Sequence, residues 1–450
     1  MRIVQSYWSK PGIERNGWRL PDLYFISWMY SCLKLRQFYS DVHLVTDSRG
    51  KTIFGEILNL PYSSIKTNLD ILQDYTPKLW TVGKLYTYSL QEAPFIHVDG
   101  DVFIWDRIPL EEEQLIAQHK EYNFVHNKKF LQDLKVKGYK IPYTINWNLK
   151  DVCEINAGII GGCNLKFFQA YYHAAIDFIK SNEELINNIK SKKEETAVNT
   201  IMEQFFFYQL AEKQKCKIRF LFDENVTDDY IQFVQFLSVP FETKYIHPIG
   251  YHKQNYAYCE YVARLLFCEY PGYFHKYQYN KESLYELFHV KSISNSEDHE
   301  FKLFKKELLE KYALQEITQN IRNFVSYNLY CSQNWEFIKS KLVFVINPYV
   351  KSIKHYNYSG KKECVLIMPS ILSEKELIMI QFQLGVISDF YVSLCEKYGK
   401  SESFTLLDIV NCLRIKDKKS LAKISMALKR LLYMNAIIIY KGGNRKARKE

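Results

Sequence analysis

The sequence predicts an α/β protein with a doubly wound sheet flanked by helices, followed by a second, mainly helical region that ends like a winged helix. Three observations carry this prediction. Strand-like and helix-like segments alternate from the amino terminus. A tight acidic turn closes one of the apolar strands. Past a polar stretch from Val290 to Glu300 the pattern changes to long helices.

Taken in order, Arg2 to Ser6 reads as a strand. From Pro21 to Phe38, Leu23, Ile26, Trp28, Tyr30, Leu33 and Leu35 recur at helical spacing. Asp41 to Asp47 reads as strand and turn, Leu79 to Leu90 as helix, and Phe95 to Val98 as the next strand. This alternation predicts parallel strands, with ligands beyond their carboxyl ends, where Asp47 and Asp99 fall. After a polar region, Ile155 to Cys163 reads as a strand interrupted by glycines. Helices are expected at Leu165 to Lys180 and Glu194 to Lys213, and strands at Ile218 to Phe222 and Thr243 to Ile246. Phe301 to Tyr330 and Leu377 to Leu394 read as helices. Thr405 to Leu413, Ser420 to Asn435 and Ala436 to Tyr440 then give helix, turn, helix and strand, with Gly442-Gly443 as a closing turn.

At 450 residues the chain exceeds one ordinary core, and the expected domains are residues 1–290 and 300–450. Only 17 Gly and 12 Pro exclude a linker-rich or disordered chain. Ten cysteines without a Cys-x-x-Cys pair suggest reduced thiols and a cytoplasmic protein. The amino-terminal residues lack the apolar core and cleavage site of a secretory leader. No run reaches the roughly 20 apolar residues that span a bilayer, so no transmembrane segment is expected. The net charge of +10 suits an anionic partner, but dispersed surface lysines and the basic stretch Lys441 to Lys449 are its plainer account.

The chemistry concentrates in four places. Asp99-Gly100-Asp101 sets two carboxylates one residue apart at a strand end, where they can share a hard divalent cation. Such a cation can hold a nucleotide diphosphate as a leaving group, although Asp-Gly-Asp also makes ordinary turns. Asn156-Ala157-Gly158 offers an amide beside small residues that allow close approach of a sugar, or else marks a bulge. Glu203-Gln204 places a carboxylate and an amide within a helix, facing a reacting sugar or solvent. His247-Pro248-Ile249-Gly250-Tyr251-His252-Lys253 supplies an imidazole for a metal, a glycine for close backbone contact and a cation for phosphate oxygens.

Together these motifs resemble the glycogenin and lipopolysaccharide-galactosyltransferase group over roughly residues 1–280. The resemblance implies a GT-A (Rossmann-like) mixed sheet and retaining transfer from a nucleotide diphosphate sugar, commonly a UDP-sugar, with Mn2+ or Mg2+. By position, Asp99, Asp101 and His247 are the implied metal ligands, and Gly250 and Lys253 the diphosphate contacts. Lys84 takes the place of a family lysine near the donor, and Asn156, Glu203 and Gln204 lie near the transferred sugar and acceptor. The chain departs from the group at Gln254, where Pro is usual, and at Gly100 between the aspartates. It departs again at Ser6-Tyr7-Trp8, where small residues are usual. Tyr7 or Trp8 is read as stacking on the base, against the alternative that both are core.

The expected function is metal-dependent glycosyl transfer to a peptide, protein or glycan acceptor, with the second domain recognising a peptide or protein acceptor. Lys416, Lys418, Lys419, Lys423, Lys429 and Arg430 support a competing reading. In it, a nucleic-acid-binding winged helix accompanies an inactive transferase-like domain. The plainer view of that helix is an amphipathic surface packed through Leu421, Ile424, Leu428, Leu431 and Leu432. A nucleotide-sugar-binding scaffold without turnover is the third reading.

Overall fold

A computed structural model describes residues 2–12, 17–108, 115–147, 149–222, 226–289, 299–356, 362–400 and 402–440. Most of the polar boundary segment (residues 290–298) and the Gly442-Gly443 turn lie outside the described residues. The chain divides into two compact units. The first comprises Met1–Gln235, Phe241–Lys253 and Tyr273–Val290; the second comprises Phe236–Pro240, Gln254–Gly272 and Lys291–Glu450.

The first unit is built on β1 (Arg2–Tyr7), α1 (Asp22–Phe38), β2 (Val42–Thr46), β3 (Ser64–Lys66), α2 (Val82–Ser89), β4 (Phe95–Val98) and β5 (Phe103–Ile104). It continues with β6 (Leu115–Tyr122), α3 (Val125–Val136), β7 (Cys153–Gly162) and α4 (Leu165–Ser181). Next comes α5, which runs as Lys192–Thr200, a π-helical turn Ile201–Phe205, and Phe206–Gln214. Strands β8 (Ile218–Phe222) and β9 (Tyr245–Ile246) follow.

Seven strands form one sheet in the order β3-β2-β1-β4-β7-β6-β8. The sheet is mixed, as the resemblance implies, and not all parallel as the alternation of elements alone reads. β1 is parallel to β2 and β4, but β7 runs antiparallel to both β4 and β6. The apolar pattern reveals a strand but not its direction, because a strand buried on both faces reads as a continuous run whichever way it points. β6 falls in the stretch read only as polar. Its Gln118, His119 and Glu121 are buried, yet they are hydrogen-bonded within the fold, so composition hides the strand. The glycine breaks of β7 have a steric reason. A Cβ on Gly161 would stand 2.2 Å from the Phe95 carbonyl oxygen of β4.

Apolar side chains cover both faces of the sheet. One layer includes Leu85, Tyr88, Phe95, Phe168, Tyr171 and Phe207; the other includes Ile3, Ile96, Val98, Ile104, Ile159 and Tyr245. Each such burial is worth about 1.5–3 kcal/mol, so the central strands are firmly held. A two-stranded ribbon of β5 and β9 pairs Phe103 with Ile246 and Ile104 with Tyr245. That pairing carries the segment after β9 back to the turn after β4.

In the second unit, α6 (Tyr256–Glu269), α8 (His299–Lys311) and α9 (Leu314–Gln333) are helices; α7 (Pro271–Leu287) belongs to the first unit from Tyr273 onward. Two three-stranded antiparallel sheets follow. One pairs β11 (Lys351–Tyr356), β12 (Lys362–Pro369) and β13 (Met379–Gln383). The other sets β10 (Val343–Ile346) between β14 (Phe404–Thr405) and β15 (Ile437–Ile439). The helix expected from Leu377 to Leu394 is instead β13 followed by α10 (Ser388–Tyr398). Met379, Ile380 and Phe382 are buried against the neighbouring strand, and pairing with β12 overrides local helical spacing.

The helices α11 (Leu406–Cys412) and α12 (Lys418–Tyr433), then β15, reproduce the expected order. The middle strand of their sheet, β10, comes from far earlier in the chain, outside the segment read as a winged helix. On α12, Leu428, Leu431 and Leu432 are buried, whereas Leu421, expected in the packed stripe, is 39% exposed.

Candidate functional site

The acidic turn is fixed by its backbone. β4 ends at Val98, and the Asp99 amide donates to the Gly158 carbonyl of β7 at 2.9 Å. Val102 N–H closes the turn onto the Asp99 carbonyl at 3.1 Å. That carbonyl also accepts from Ser31 Oγ of α1 at 3.2 Å. Gly100 is required by a close approach. A Cβ there would lie 2.3 Å from the Trp28 ring, so the absent side chain makes room for an aromatic wall.

Two lysines from distant segments neutralise the two carboxylates. Lys84 of α2 donates to Asp99 Oδ2 and to Glu203 Oε1, each at 2.7 Å. Lys253 pairs with Asp101 Oδ2. Asp99 Oδ1 and Asp101 Oδ1 are buried without a hydrogen-bond partner. Burial, with help from the charges on Asp101 and Glu203, outweighs the attraction of Lys84 and pushes the Asp99 carboxyl up to about 7. For Asp101 burial works in the same direction, but Lys253 and His247 overcome it and hold the carboxyl well below the usual range. The Lys84 ammonium is held above its ordinary value because Asp99 and Glu203 outweigh the effect of burial.

His247 follows β9 and therefore lies beside the turn after β4. Its Nε2 stands 3.4 Å from Asp101 Oδ1, and its Nδ1 is 2.9 Å from Gln118 Oε1. Burial lowers the pKa of the ring, against the opposing pull of Asp101. Ligand atoms from Asp99, Asp101 and His247 all lie within 4.8 Å of one another. Two carboxylate oxygens and an imidazole nitrogen, with unpartnered buried carboxylate oxygens among them, offer a donor set for a divalent metal ion.

The turn opens onto a cleft of about 210 Å³. Of the residues singled out in the sequence, Tyr7, Trp8, Lys84, Asp99, Asp101 and Lys253 line it. Tyr7 is 3% exposed, hydrogen-bonds through its hydroxyl to Tyr24, and packs edge-on against Trp28 and Phe54. Its ring therefore belongs largely to the core. Asp47 lies elsewhere, accepting from Ser9 N at 2.9 Å, Ser9 Oγ at 2.7 Å and Gly50 N at 2.8 Å, so it caps a helical turn and anchors the chain after β1. Gly250 has φ +54° at the start of a short helical turn, a backbone state that favours glycine.

Asn156 sits inside β7, where its Nδ2 donates to Glu121 Oε1 at 3.2 Å and its Oδ1 accepts from Gly158 N at 3.1 Å. Glu203 is buried in the π-helical turn of α5, and Gln204 beside it is half-buried. π-turns inside helices occur often at functional sites, and here the turn sets the Glu203 carboxylate against Lys84.

Sequence reading passed over several residues of this cleft. Trp18, Trp28 and Trp80 join Trp8 in its lining, and Trp18 lies 5.8 Å from Lys253 Nζ. High aromatic content was the only signal available, and it does not say which rings share a wall. His97 was read as part of an apolar strand. Its Nε2 lies 2.8 Å from Ser6 Oγ and its Nδ1 3.6 Å from Asp99 Oδ1. Among the described residues, no helix is long and apolar enough to cross a membrane. All ten cysteines are free thiols.

Comparison with solved structures finds similarity to the glycosyltransferase GlyE of Streptococcus pneumoniae TIGR4. The match has 11% identity and a TM-score of 0.28, covering 62% of this chain and 64% of that one, which is less than two thirds of its length. The apo form of GlyE matches at 12% identity and a TM-score of 0.30, covering 62% and 63% of the two chains. The apo form of mouse xyloside xylosyltransferase 1 matches at 10% identity and a TM-score of 0.26, covering 49% of this chain and 84% of that one. No curated protein matches the chain. The model of the family described as "Family of unknown function (DUF6734)" matches residues 1–279, more than half of the sequence, and the chain belongs to that family.

Proposed function

We propose that the first unit is a metal-dependent glycosyltransferase that takes a sugar from a nucleotide diphosphate donor, a UDP-sugar in the simplest case, and passes it with retention to a peptide, protein or glycan. The observation that carries this reading is the convergence of Asp99, Asp101 and His247 within 4.8 Å, the two aspartates lying in the wall of an aromatic cleft that also holds Lys84 and Lys253. A strand end of a mixed α/β sheet is a usual place for a ligand. Unpartnered carboxylate oxygens beside lysines favour a cation together with an anionic ligand over a purely structural ion pair.

Mn2+ or Mg2+, held by Asp99, Asp101 and His247, would supply Lewis-acid stabilisation of the departing diphosphate. Lys253, next to Asp101, is placed to add a second positive charge for the diphosphate oxygens. The tryptophan walls offer flat apolar faces for a base or sugar ring. In this reading Glu203, tied to Asp99 through Lys84, is the carboxylate that stabilises positive charge on the sugar or forms a covalent intermediate.

The test is a screen of nucleotide sugars with Mn2+, read as release of the free nucleoside diphosphate. The expected result is metal-dependent turnover of one donor class that disappears in Asp101→Asn. Near-normal turnover by that variant would sink the assignment.

A further inference from the structure

We propose that Gln118 is a positioning residue for His247: it holds the imidazole in the tautomer that carries its proton on Nδ1 and turns an unprotonated Nε2 toward Asp101. The inference deepens the metal-dependent reading above and rests on it. Three observations carry it. First, Gln118 Oε1 and His247 Nδ1 are 2.9 Å apart, and both residues are buried. A carbonyl oxygen only accepts, so the hydrogen belongs to Nδ1 and the lone pair to Nε2. Nε2 is the nitrogen found 3.4 Å from Asp101 Oδ1.

Second, the backbone is irregular at this residue. β6 and β7 pair in register at Ala117 with Ile160 and again at His119 with Asn156, with a register shift between them. Gln118 is the residue inside that shift. Irregularities of this kind re-aim a side chain next to functional sites.

Third, the space has been cleared for the pair. A Cβ on Gly158 would lie 2.3 Å from Gln118 Oε1 and 2.3 Å from His247 Cε1. The glycine of Asn156-Ala157-Gly158 therefore accommodates the histidine and its partner; close approach of a sugar is not needed to explain it. Outer partners of this kind fix the ring orientation of a metal-binding histidine and raise its basicity.

The experiment combines 15N NMR of the imidazole in the metal-free protein with calorimetric Mn2+ titration. The variants are Gln118→Met, which nearly keeps size but removes the acceptor, and Gln118→Glu, which keeps it. Thermal melts check that each variant folds. The wild type is expected to show the Nδ1–H tautomer. Gln118→Met should lose that tautomer preference and bind Mn2+ about 10–100-fold more weakly, the usual scale for an outer partner. Gln118→Glu should recover most of the affinity. A wild-type ring protonated on Nε2, or unchanged Mn2+ affinity in Gln118→Met beside a wild type that binds, overturns the role of Gln118 and leaves the metal reading intact. A wild type that binds no Mn2+, alone or with a nucleoside diphosphate, overturns both.

Discussion

Two pairs of acids, one half-buried and one buried, lie on the same sheet and are neutralised in different ways. Asp99 and Asp101 stand at the end of β4 in the wall of the aromatic cleft. Glu121 and Glu154 face each other across β6 and β7, each 1% exposed. Glu121 accepts from Asn127 Nδ2 at 2.7 Å, Tyr230 Oη at 3.0 Å and Asn156 Nδ2 at 3.2 Å, with His119 Nε2 also 3.2 Å away. Burial opposes its charge, but His119 and these donors hold the carboxyl below its ordinary value. Glu154 meets the same constraint by keeping its proton: burial, and then the charge of Glu121, push its carboxyl well above the usual range. The aspartates instead rely on lysines brought from other elements and retain one unpartnered oxygen each. Glu154 Oε1 is also buried without a hydrogen-bond partner, so a spare oxygen alone does not tell the pairs apart. The setting does: the aspartates border the aromatic cleft, with two lysines paired to them and a histidine nitrogen close by.

The most severe way to break this contrast is Asp101→Asn. It removes a ligand charge and releases Lys253, and turnover should fall by at least about a hundredfold, the scale of losing one well-placed electrostatic group. Nucleoside diphosphate release measures it. Next in size, Lys253→Ala should weaken nucleoside diphosphate binding by about 1.5–3 kcal/mol, as expected for a lost hydrogen bond to a charged group. Calorimetry with the diphosphate alone checks this, and unchanged affinity would remove Lys253 from the donor site.

Gly100→Ala tests the wall instead of the charge. Its Cβ would collide with Trp28, so stability to urea should fall by about 1–3 kcal/mol, as for other overpacked sites. The smallest effect belongs to the closed pair. Glu154 has a folded-state pKa above its ordinary value of 4.5, so the native protein holds a proton that the unfolded chain releases. Its contribution makes stability fall as pH rises above that value. Glu154→Gln should flatten this slope and be no less stable than wild type near neutral pH, as read by denaturation midpoints across pH. Glu121 works with the opposite sign: its contribution is present above 4.5 and is lost as pH falls through its lowered pKa.

The strands and helices nearest the site were legible because their apolar period is clean. Phe95 to Val98 and Ile218 to Phe222 are strands at the residues expected, and the helix expected from Pro21 runs Asp22–Phe38. β6 was not legible, because its buried polar residues look like surface until their partners are known. Asp99, Asp101 and His247 could be picked out by spacing, but their closeness depends on the β5–β9 ribbon, which pairs two residues with two across a long stretch of chain. Asp47 shows the limit of reading position alone: it follows a strand, yet its carboxylate is occupied by Ser9 and Gly50. Gln118 and Trp28 could not be found in advance, since each matters through partners far off in the chain: Gln118 through His247 and Gly158, Trp28 through Gly100 and the cleft.

The central claim is that Asp99, Asp101 and His247 together hold one divalent cation. Anomalous diffraction from crystals soaked in Mn2+ with a nucleoside diphosphate tests it most directly. The account predicts one strong peak within bonding distance of all three residues, with Lys253 turned toward the diphosphate. A peak elsewhere, or no peak while Lys253 still pairs with Asp101, would contradict it.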